Sequence, residues 1–148
     1  MPLSVKAAAL RFLKIRPRSI AELREKLVDK NFSSTEIETT LHDLTVSGLL
    51  NDRAFTKSWI NYRLARPFGF RRIIQELKAK GIDPEIIEQA VGEVKESYAP
   101  EDVAMDLAQR RYQRLPNIDP VKKKKRVLDF LLRRGFETSI AMKVLRKL

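Results

Sequence analysis

Residues 73–82 read IIQELKAKGI, and the same pattern of apolar and turn-forming positions occurs at two other places in the chain. The counterparts are LREKLVDKNF at residues 23–32 and VLDFLLRRGF at residues 127–136. Each stretch has aliphatic residues at its first and fifth positions and ends in Gly or Asn followed by an apolar residue. The offsets between copies are 50 and 54 residues. Self-similarity with this period predicts a tandem array of one supersecondary unit. Stacked units of this kind present extended surfaces to elongated partners.

Each copy is predicted to contain three helices. Apolar residues recur at helical spacing along the chain, and no segment shows the strict alternation of a strand. The sequence therefore predicts an all-α protein with three-helix repeats at residues 1–50, 51–98 and 99–148, the last being the most basic. Two short helices joined at a Gly or Asn turn and braced by a third resemble the helix-turn-helix family of units. A generic solenoid of helical hairpins has the same periodicity and remains an alternative.

Turn and cap residues mark the helix ends. Asn31, Gly81 and Gly135 occupy equivalent positions, and Asn and Gly are the residue types that tolerate a positive φ after the last helical turn. Two capping boxes, in which a serine and a glutamate three residues later satisfy each other's backbone, are also predicted: Ser19 with Glu22, and Ser33 with Glu36.

The charge of the chain is high and uneven. Its 148 residues include 30 Lys and Arg, 19 Asp and Glu and no Cys, which gives a formal net charge of +11. Residues 1–50 and 51–100 contribute +2 each, whereas residues 101–148 contribute +7. This polarity predicts an anionic partner: nucleic acid, a nucleoprotein or an acidic protein face. No apolar run approaches the ~20 residues of a membrane-spanning helix, and no secretory cleavage pattern is present. We therefore expect a cytoplasmic protein.

Catalytic motifs are missing from the sequence. None of the five glycines begins a phosphate-binding loop, and the chain has no nucleophile-elbow motif. His42, the single histidine, falls outside the apolar stripe of its helix, which predicts a surface position. One imidazole without Cys does not make a metal site. The sequence thus predicts a non-enzymatic protein with no cofactor and no metal.

Phe55, Trp59 and Tyr62 are spaced i, i+4, i+7 and have two interpretations. They could form a platform on which nucleic-acid bases stack. They could instead form the core stripe of a helix, which is the more ordinary use of this spacing. We expect them to lie in the core.

Basic residues form the candidate contact sites. A solvated charged face is the usual explanation for such clusters, but the unbroken run KKKKR at residues 122–126 costs stability unless a partner or solvent screens it. Cations at the end of a helix also stabilise that helix without any partner. The candidates for contact with the anionic partner, in decreasing order of expectation, are Lys122, Lys123, Lys124, Lys125, Arg126, Arg133 and Arg134; then Arg110, Arg111 and Arg114; then Arg66, Arg71 and Arg72.

Four motifs in series carry a family resemblance. They are Pro17-Arg18-Ser19 with Glu22-Leu23 and Lys26-Leu27; Gly48-Leu49-Leu50-Asn51-Asp52 with Phe55; Gly69-x3-Ile73-x2-Glu76-Leu77-x2-Lys80-Gly81-Ile82; and Phe130-Leu131-x-Arg133-Arg134-Gly135-Phe136. Together they cover nearly the whole chain and resemble the RecX family of bacterial recombination regulators. Two residues depart from the family pattern: Asn51 replaces the first of two Asp residues, and Thr56 replaces a small apolar residue.

The resemblance implies an elongated, curved molecule of three tandem three-helix units. It also implies a protein that lies along the groove of a RecA–single-stranded DNA filament and lowers its ATP hydrolysis and strand exchange. The family offers no catalytic residues to carry over. We therefore expect a monomeric regulator whose partners are the RecA filament and, through phosphate contacts, single-stranded DNA, with no membrane partner.

Two other functions remain open from the sequence. A helix-turn-helix protein could read duplex DNA through the major groove, which requires Arg, Asn or Gln on the exposed face of a recognition helix. The third helix of the second repeat, with Glu85, Glu88 and Glu93, is too acidic for that role. A structural scaffold could instead carry its charge for solubility alone, and would bind neither single-stranded DNA nor filaments at moderate salt.

Overall fold

The protein is all-helical over residues 3–65 and 68–148, which are the residues that its computed structural model describes. The predicted all-α class is confirmed. The described helices follow one another in three groups of three: α1 Val5–Ile15, α2 Ile20–Asp29, α3 Ser34–Val46, α4 Asp52–Ala65, α5 Phe70–Ala79, α6 Pro84–Lys95, α7 Pro100–Arg114, α8 Pro120–Arg133 and α9 Thr138–Arg146.

The chain folds into two compact units. Unit 1 consists of Met1–Trp59 with Leu77–Ala90, and unit 2 consists of Ile60–Glu76 with Val91–Leu148. The division passes through α4, α5 and α6, so the middle repeat contributes to both units. The repeat boundaries at residues 1–50, 51–98 and 99–148 therefore stay a prediction.

The core of unit 1 lies among α1, α2 and α3, which contact one another. Each helix supplies the apolar residues that recur on one of its faces, among them Ala9 from α1, Leu23 and Leu27 from α2, and Ile37 and Leu44 from α3. Burial of a side chain as large as Leu or Ile stabilises a fold by about 1.5–3 kcal/mol. The burial of these apolar faces away from water is the main contribution that holds the three helices together.

The core of unit 2 lies among α7, α8 and α9, which also contact one another. On α7 the fully buried positions are Ala104 and Ala108, whose small side chains let the other two helices approach closely. The larger buried residues come from α8 and the turn that follows it, namely Val127, Leu131 and Phe136, and from α9, namely Val144 and Leu145.

The three predicted left-handed turns are confirmed. The φ angles of Asn31, Gly81 and Gly135 are 64°, 75° and 90°. In each turn the N–H of the next residue donates to the carbonyl five residues earlier, at 3.2–3.4 Å. This is the pattern of a Schellman cap, which satisfies a carbonyl that the helix leaves unpaired.

One predicted capping box forms and the other does not. Ser19 accepts a hydrogen bond from the N–H of Glu22, and the Glu22 carboxylate accepts one from the N–H of Ser19. Ser33 accepts from the N–H of Glu36, but the Glu36 carboxylate accepts the Ser33 hydroxyl proton at 2.9 Å instead of the backbone N–H. The second prediction was wrong because the hydroxyl lies within reach of the same carboxylate and competes with the backbone for it.

The aromatic stripe of α4 is only partly in the core. Phe55 is buried, and Trp59 is half-buried with its ring stacked on that of Phe55 at a centroid distance of 6.2 Å. Tyr62 is 47% exposed, so its predicted core position was wrong. The buried face of α4 is rotated toward Thr56 and Ile60, which are fully buried, and Tyr62 therefore lies at the edge of the face.

Candidate anion-binding site

The site begins where the start of α5 meets the turn after α8. The N–H of Gly69 donates to the carbonyl of Arg134 at 2.7 Å, and the N–H of Arg71 donates to the carbonyl of Gly135 at 3.1 Å. N–H groups that α5 cannot satisfy internally are thus paired with the carbonyl end of α8. A Cβ on Gly135 would lie only 2.6 Å from the backbone nitrogen of Arg72, and a Cβ on Gly69 would overlap the Gly135 carbonyl. Both glycines are therefore required for this close approach.

The same junction occurs in unit 1. The Ser19 hydroxyl at the start of α2 donates to the carbonyl of Lys80 at 2.7 Å, and a Cβ on Gly81 would overlap the Cβ of Ala21. In both junctions, then, the start of a middle helix contacts the left-handed turn that ends the middle helix of the next repeat.

The junction in unit 2 brings together basic residues that are distant in the sequence. Arg72 Nη1 donates to the carbonyl of Arg133 at 3.2 Å, which joins the α5 cluster to the end of α8. Beside this contact is a groove of about 490 Å³, and no carboxylate lies among its lining residues. We call it the arginine groove, and it is lined by Arg71, Arg72, Gln75, Leu132, Arg133 and Gly135.

Two aromatic rings hold the neighbouring guanidinium groups. The centroid of Phe68 lies 4.5 Å from Cζ of Arg72 and 5.1 Å from Cζ of Arg134. Arg134 also lies 5.1 Å from the centroid of Phe130, which in turn is 5.2 Å from Cζ of Arg111. Each such contact contributes about 0.5–1 kcal/mol at an exposed site. The arginine groove and these stacked aromatic and guanidinium groups form a continuous surface, which we call the arginine face. Helices α5, α7 and α8 all contribute to it.

The lysine run does not form a uniform patch. Lys122, Lys125 and Arg126 are exposed on α8, whereas Lys123 and Lys124 are half-buried, and Lys123 Nζ lies 4.7 Å from the centroid of Tyr112. At 1.5 Å per residue, Lys122 is about 17 Å along α8 from Arg133. The run therefore extends away from the arginine groove along the same helix.

The remaining candidates differ in their surroundings. Arg110 pairs with Asp106 one turn earlier at 3.1 Å, and Arg114 is exposed at the end of α7. Arg63 pairs with Glu76 and also lies over the ring of Phe68. Arg66 lies outside the described residues.

Charge is concentrated in the unit that carries the arginine face. The sequence of unit 2 contains 18 Lys and Arg against 9 Asp and Glu, whereas unit 1 contains 12 against 10. Within unit 2, Glu101 binds Lys147 at 3.1 Å and Lys143 at 3.2 Å, and hydrogen bonds from these lysines lower the pKa of Glu101. One cation of α9 and one just after it are thus neutralised locally, while the arginine groove has no acidic residue in its lining.

The chemistry of the arginine face suits anion binding. A guanidinium group is planar and donates two parallel hydrogen bonds, a geometry that fits phosphate and carboxylate oxygens. The part of the chain that the structure describes holds no cluster of three or more His, Cys, Asp or Glu side chains that could hold a metal ion. Among the same residues, no helix combines the length and apolarity needed to cross a membrane.

Sequence reasoning found the arginines but not their arrangement. It ranked Arg71 and Arg72 apart from Arg133 and Arg134, although the structure places them side by side. It also missed Phe68 and Phe130 as supports and Gln75 as a lining residue. The available signal was the pair of glycines at 69 and 135, since glycine permits two backbones to approach.

The fold and the arginine face define an all-helical repeat protein with a cationic binding surface. Three protein-family models match it in series: "RecX, first three-helix domain" over residues 6–44, "RecX, second three-helix domain" over residues 51–91 and "RecX, third three-helix domain" over residues 100–145. The chain belongs to the RecX family of regulatory proteins. The three matches also confirm the predicted series of three-helix repeats.

Individual relatives agree with this assignment. The regulatory protein RecX of Amycolatopsis mediterranei is 34% identical over 136 residues, which cover 91% of this chain and 77% of that protein. The regulatory protein RecX of Legionella pneumophila is 31% identical over 142 residues, which cover 95% and 91%. The crystal structure of RecX from Lactobacillus salivarius has the same fold, with a TM-score of 0.84, 24% identity and coverage of 97% and 94%.

Proposed function

We propose that this protein binds along the RecA–single-stranded DNA filament and inhibits its ATP hydrolysis and strand exchange. Membership of a family of regulatory proteins supports a regulatory role, and the resemblance of the four sequence motifs points to recombinase as the target. Action on a DNA-bound recombinase implies that the protein works in the cytoplasm, and we propose that it does so as a monomer.

The arginine face is the observation that carries the proposal. It gathers guanidinium groups from α5, α7 and α8 in the unit whose sequence has twice as many basic as acidic residues. A nucleoprotein filament presents both phosphates and protein carboxylates, and a guanidinium group binds either. Phosphate contacts also release condensed counterions, so they provide affinity without requiring a particular base sequence.

Inhibition follows if the regulator prefers one state of the filament. A ligand shifts a conformational equilibrium only by its difference in affinity for the two states. A chain of repeats that touches several points of a filament gains avidity from each additional contact. Such a ligand resists any change in filament geometry that separates those points, and we expect ATP turnover to fall as a result.

Direct reading of duplex DNA is the alternative, and the helices that would have to enter the groove argue against it. The exposed residues of α3 include Glu36, Glu38 and Asp43, and those of α6 include Glu85 and Glu88. These carboxylates would repel the phosphates that flank a major groove. On α9, Lys143 is already paired with Glu101.

Titration of the protein into recombinase assembled on single-stranded DNA, with ATP turnover as the readout, tests the proposal. We expect turnover to fall as the protein is added. Random duplex DNA in equal phosphate amount should relieve the inhibition only weakly, because the filament offers protein contacts that free DNA lacks. Unchanged turnover at saturating protein would reject the proposed function. Preference for one duplex sequence by orders of magnitude would favour the duplex reader instead.

A further inference from the structure

Unit 1 contains an apolar groove that is not part of the arginine face. It lies between the end of α1 and the turn that joins α3 to α4, and its volume of about 490 Å³ is within the ~300–1,000 Å³ typical of ligand clefts. Leu10 and Leu49, both in its lining, are 39% and 59% exposed. We call it the leucine groove, and its lining includes Leu10, Leu13, Leu49, Phe55, Lys14 and Arg18.

The charged residues of the leucine groove are all basic. Lys14 and Arg18 are part of the lining, and no Asp or Glu is. The Arg18 guanidinium lies 5.6 Å from the ring centroid of Phe12, and its Nε is buried with no hydrogen-bond partner among the described residues. Burial first, and the nearby charge of Arg16 second, lower the pKa of Arg18, while the charge of Glu22 raises it by a smaller amount. A ligand carboxylate beside the Arg18 guanidinium would favour its charged form and offset both effects on the pKa.

The charge of the groove lining differs from that of unit 1 as a whole. The sequence of the unit is nearly balanced in charge, with 12 basic and 10 acidic residues, yet the groove lining carries cations alone. Six of the nine large apolar residues that are exposed in the described chain belong to unit 1. An exposed apolar surface rimmed by charge is typical of a protein-binding site.

We infer that the leucine groove binds an acidic peptide segment of a partner protein, with an apolar anchor between Leu10 and Leu49 and carboxylates on Lys14 and Arg18. Nucleic acid fits the groove less well, because bases stack on open aromatic faces and the only ring in the lining, Phe55, is 7% exposed. The inference deepens the proposed function, on which it rests for the identity of the partner, by giving unit 1 a protein contact distinct from the arginine face.

Chemical-shift titration of the ¹⁵N-labelled full chain tests this inference without recombinase. The probe is a synthetic peptide of about twelve residues with Glu and Asp around two Leu residues. Two matched peptides replace either the acidic residues by Gln and Asn or the Leu residues by Ala, and a single-stranded oligonucleotide serves as a fourth ligand. We expect shifts at the amides of Leu10, Gly48 and Leu49 with the first peptide, and about tenfold weaker binding of each matched peptide.

Variants identify the contacts. Leu49→Asp should weaken binding of the acidic peptide about tenfold or more, whereas Val46→Asp should not, although Val46 is 74% exposed on the adjoining α3 and lies outside the lining. Arg18→Gln should reduce the preference for the acidic over the neutral peptide, and Arg18→Gln with Lys14→Gln should abolish it. Circular dichroism of each variant verifies that the fold is retained, as the exposure of both substituted apolar residues leads us to expect.

Three results would overturn the inference: shifts that fall on the arginine face instead, equal binding of the acidic and neutral peptides, or shifts at the leucine groove with the oligonucleotide. The absence of any shift at millimolar peptide would do the same. None of these results bears on whether the protein inhibits ATP turnover, so the inference and the proposed function fail separately.

Discussion

Asn31 stands where the other two repeats have Gly81 and Gly135, and the contacts of each turn explain the difference. All three residues have a positive φ, which Asn tolerates better than most other non-glycine residues. Gly81 and Gly135 must in addition leave room for Ala21 and Arg72 at the start of another middle helix. The side chain of Asn31 is exposed. Among these three turns, Gly is therefore required at the two that contact the start of another middle helix.

A pair of alanine substitutions separates these two requirements. Gly48 also has a positive φ, 83°, but a Cβ there would have no neighbour within 4 Å. Gly48→Ala should therefore destabilise the fold by about 1 kcal/mol from backbone strain alone. Gly81→Ala should cost about 1–3 kcal/mol more, because its Cβ overlaps that of Ala21. Urea unfolding measures both, and equal losses would show that the close approach at Gly81 is not present.

Glu22 predicts how stability depends on pH. Burial by itself would raise the pKa of Glu22, but hydrogen bonds from Arg16 and from the backbone of Ser19, together with the charge of Lys80, lower it from 4.5 to about 2. Because the pKa is lower in the folded state, the carboxylate stabilises the fold above about pH 4.5, and this stabilisation is lost as the pH falls toward 2. Glu22→Gln should therefore lower stability at pH 7 by roughly 1 kcal/mol and flatten the acid dependence.

Urea unfolding at pH 7 and pH 3 measures the effect of this substitution. Glu25→Gln, at an exposed position of the same helix, is the matched control and should leave both values nearly unchanged. If the Glu22 variant lost the same stability between the two pH values as the wild type, the interactions of Glu22 would not account for the acid dependence.

For individual residues, the sequence predicted turns and helix caps well, because the causes of these features are local. The positive φ of Asn31 and the capping box at Ser19 follow from residue types within a few positions of each other. The sequence did not predict the Ser33 hydroxyl bond to Glu36, because two acceptable partners compete for one carboxylate. It also misplaced Tyr62, because its spacing fits the apolar stripe while the rotation of α4 leaves it exposed.

Among the helices, α8 combines a structural face and a binding face. Val127 and Leu131 are buried in the core of unit 2, while Lys122, Arg126 and Arg133 are exposed. The helical period alone predicts this separation. The contact between the end of α8 and the start of α5 was not predictable in the same way, because residues 69 and 135 are far apart in the sequence and no periodic pattern relates them.

Replacement of Lys122 to Lys125 by Gln tests the solvent-exposed part of α8. The substitutions should leave the fold nearly unchanged, since none of these residues is fully buried. The slope of log affinity against log salt, measured by anisotropy of a labelled single-stranded oligonucleotide, should fall by about 0.7 for each phosphate that the variant no longer binds. We expect about two such phosphates, one each for the exposed Lys122 and Lys125, and an unchanged slope would show that the lysine run does not meet phosphates.

In the whole molecule, charge and exposed apolar surface are divided between the two units. Unit 2 carries the arginine face and a net charge of +9, while unit 1, at +2, carries the leucine groove and most of the exposed large apolar residues. The sequence predicted the basic end of the chain from composition. It did not predict the units themselves, because the middle repeat belongs to both and its division depends on contacts formed only in the fold.

In the proposed regulation of recombinase, the arginine face acts as one surface. The most direct test compares ATP turnover by DNA-bound recombinase in the presence of two double variants. Arg71→Gln with Arg133→Gln removes two charges from the arginine groove, and Lys26→Gln with Arg146→Gln removes two exposed charges elsewhere. We predict that the groove variant needs about tenfold more protein for half-inhibition, while the control inhibits like the wild type. Equal inhibition by both variants would contradict the account.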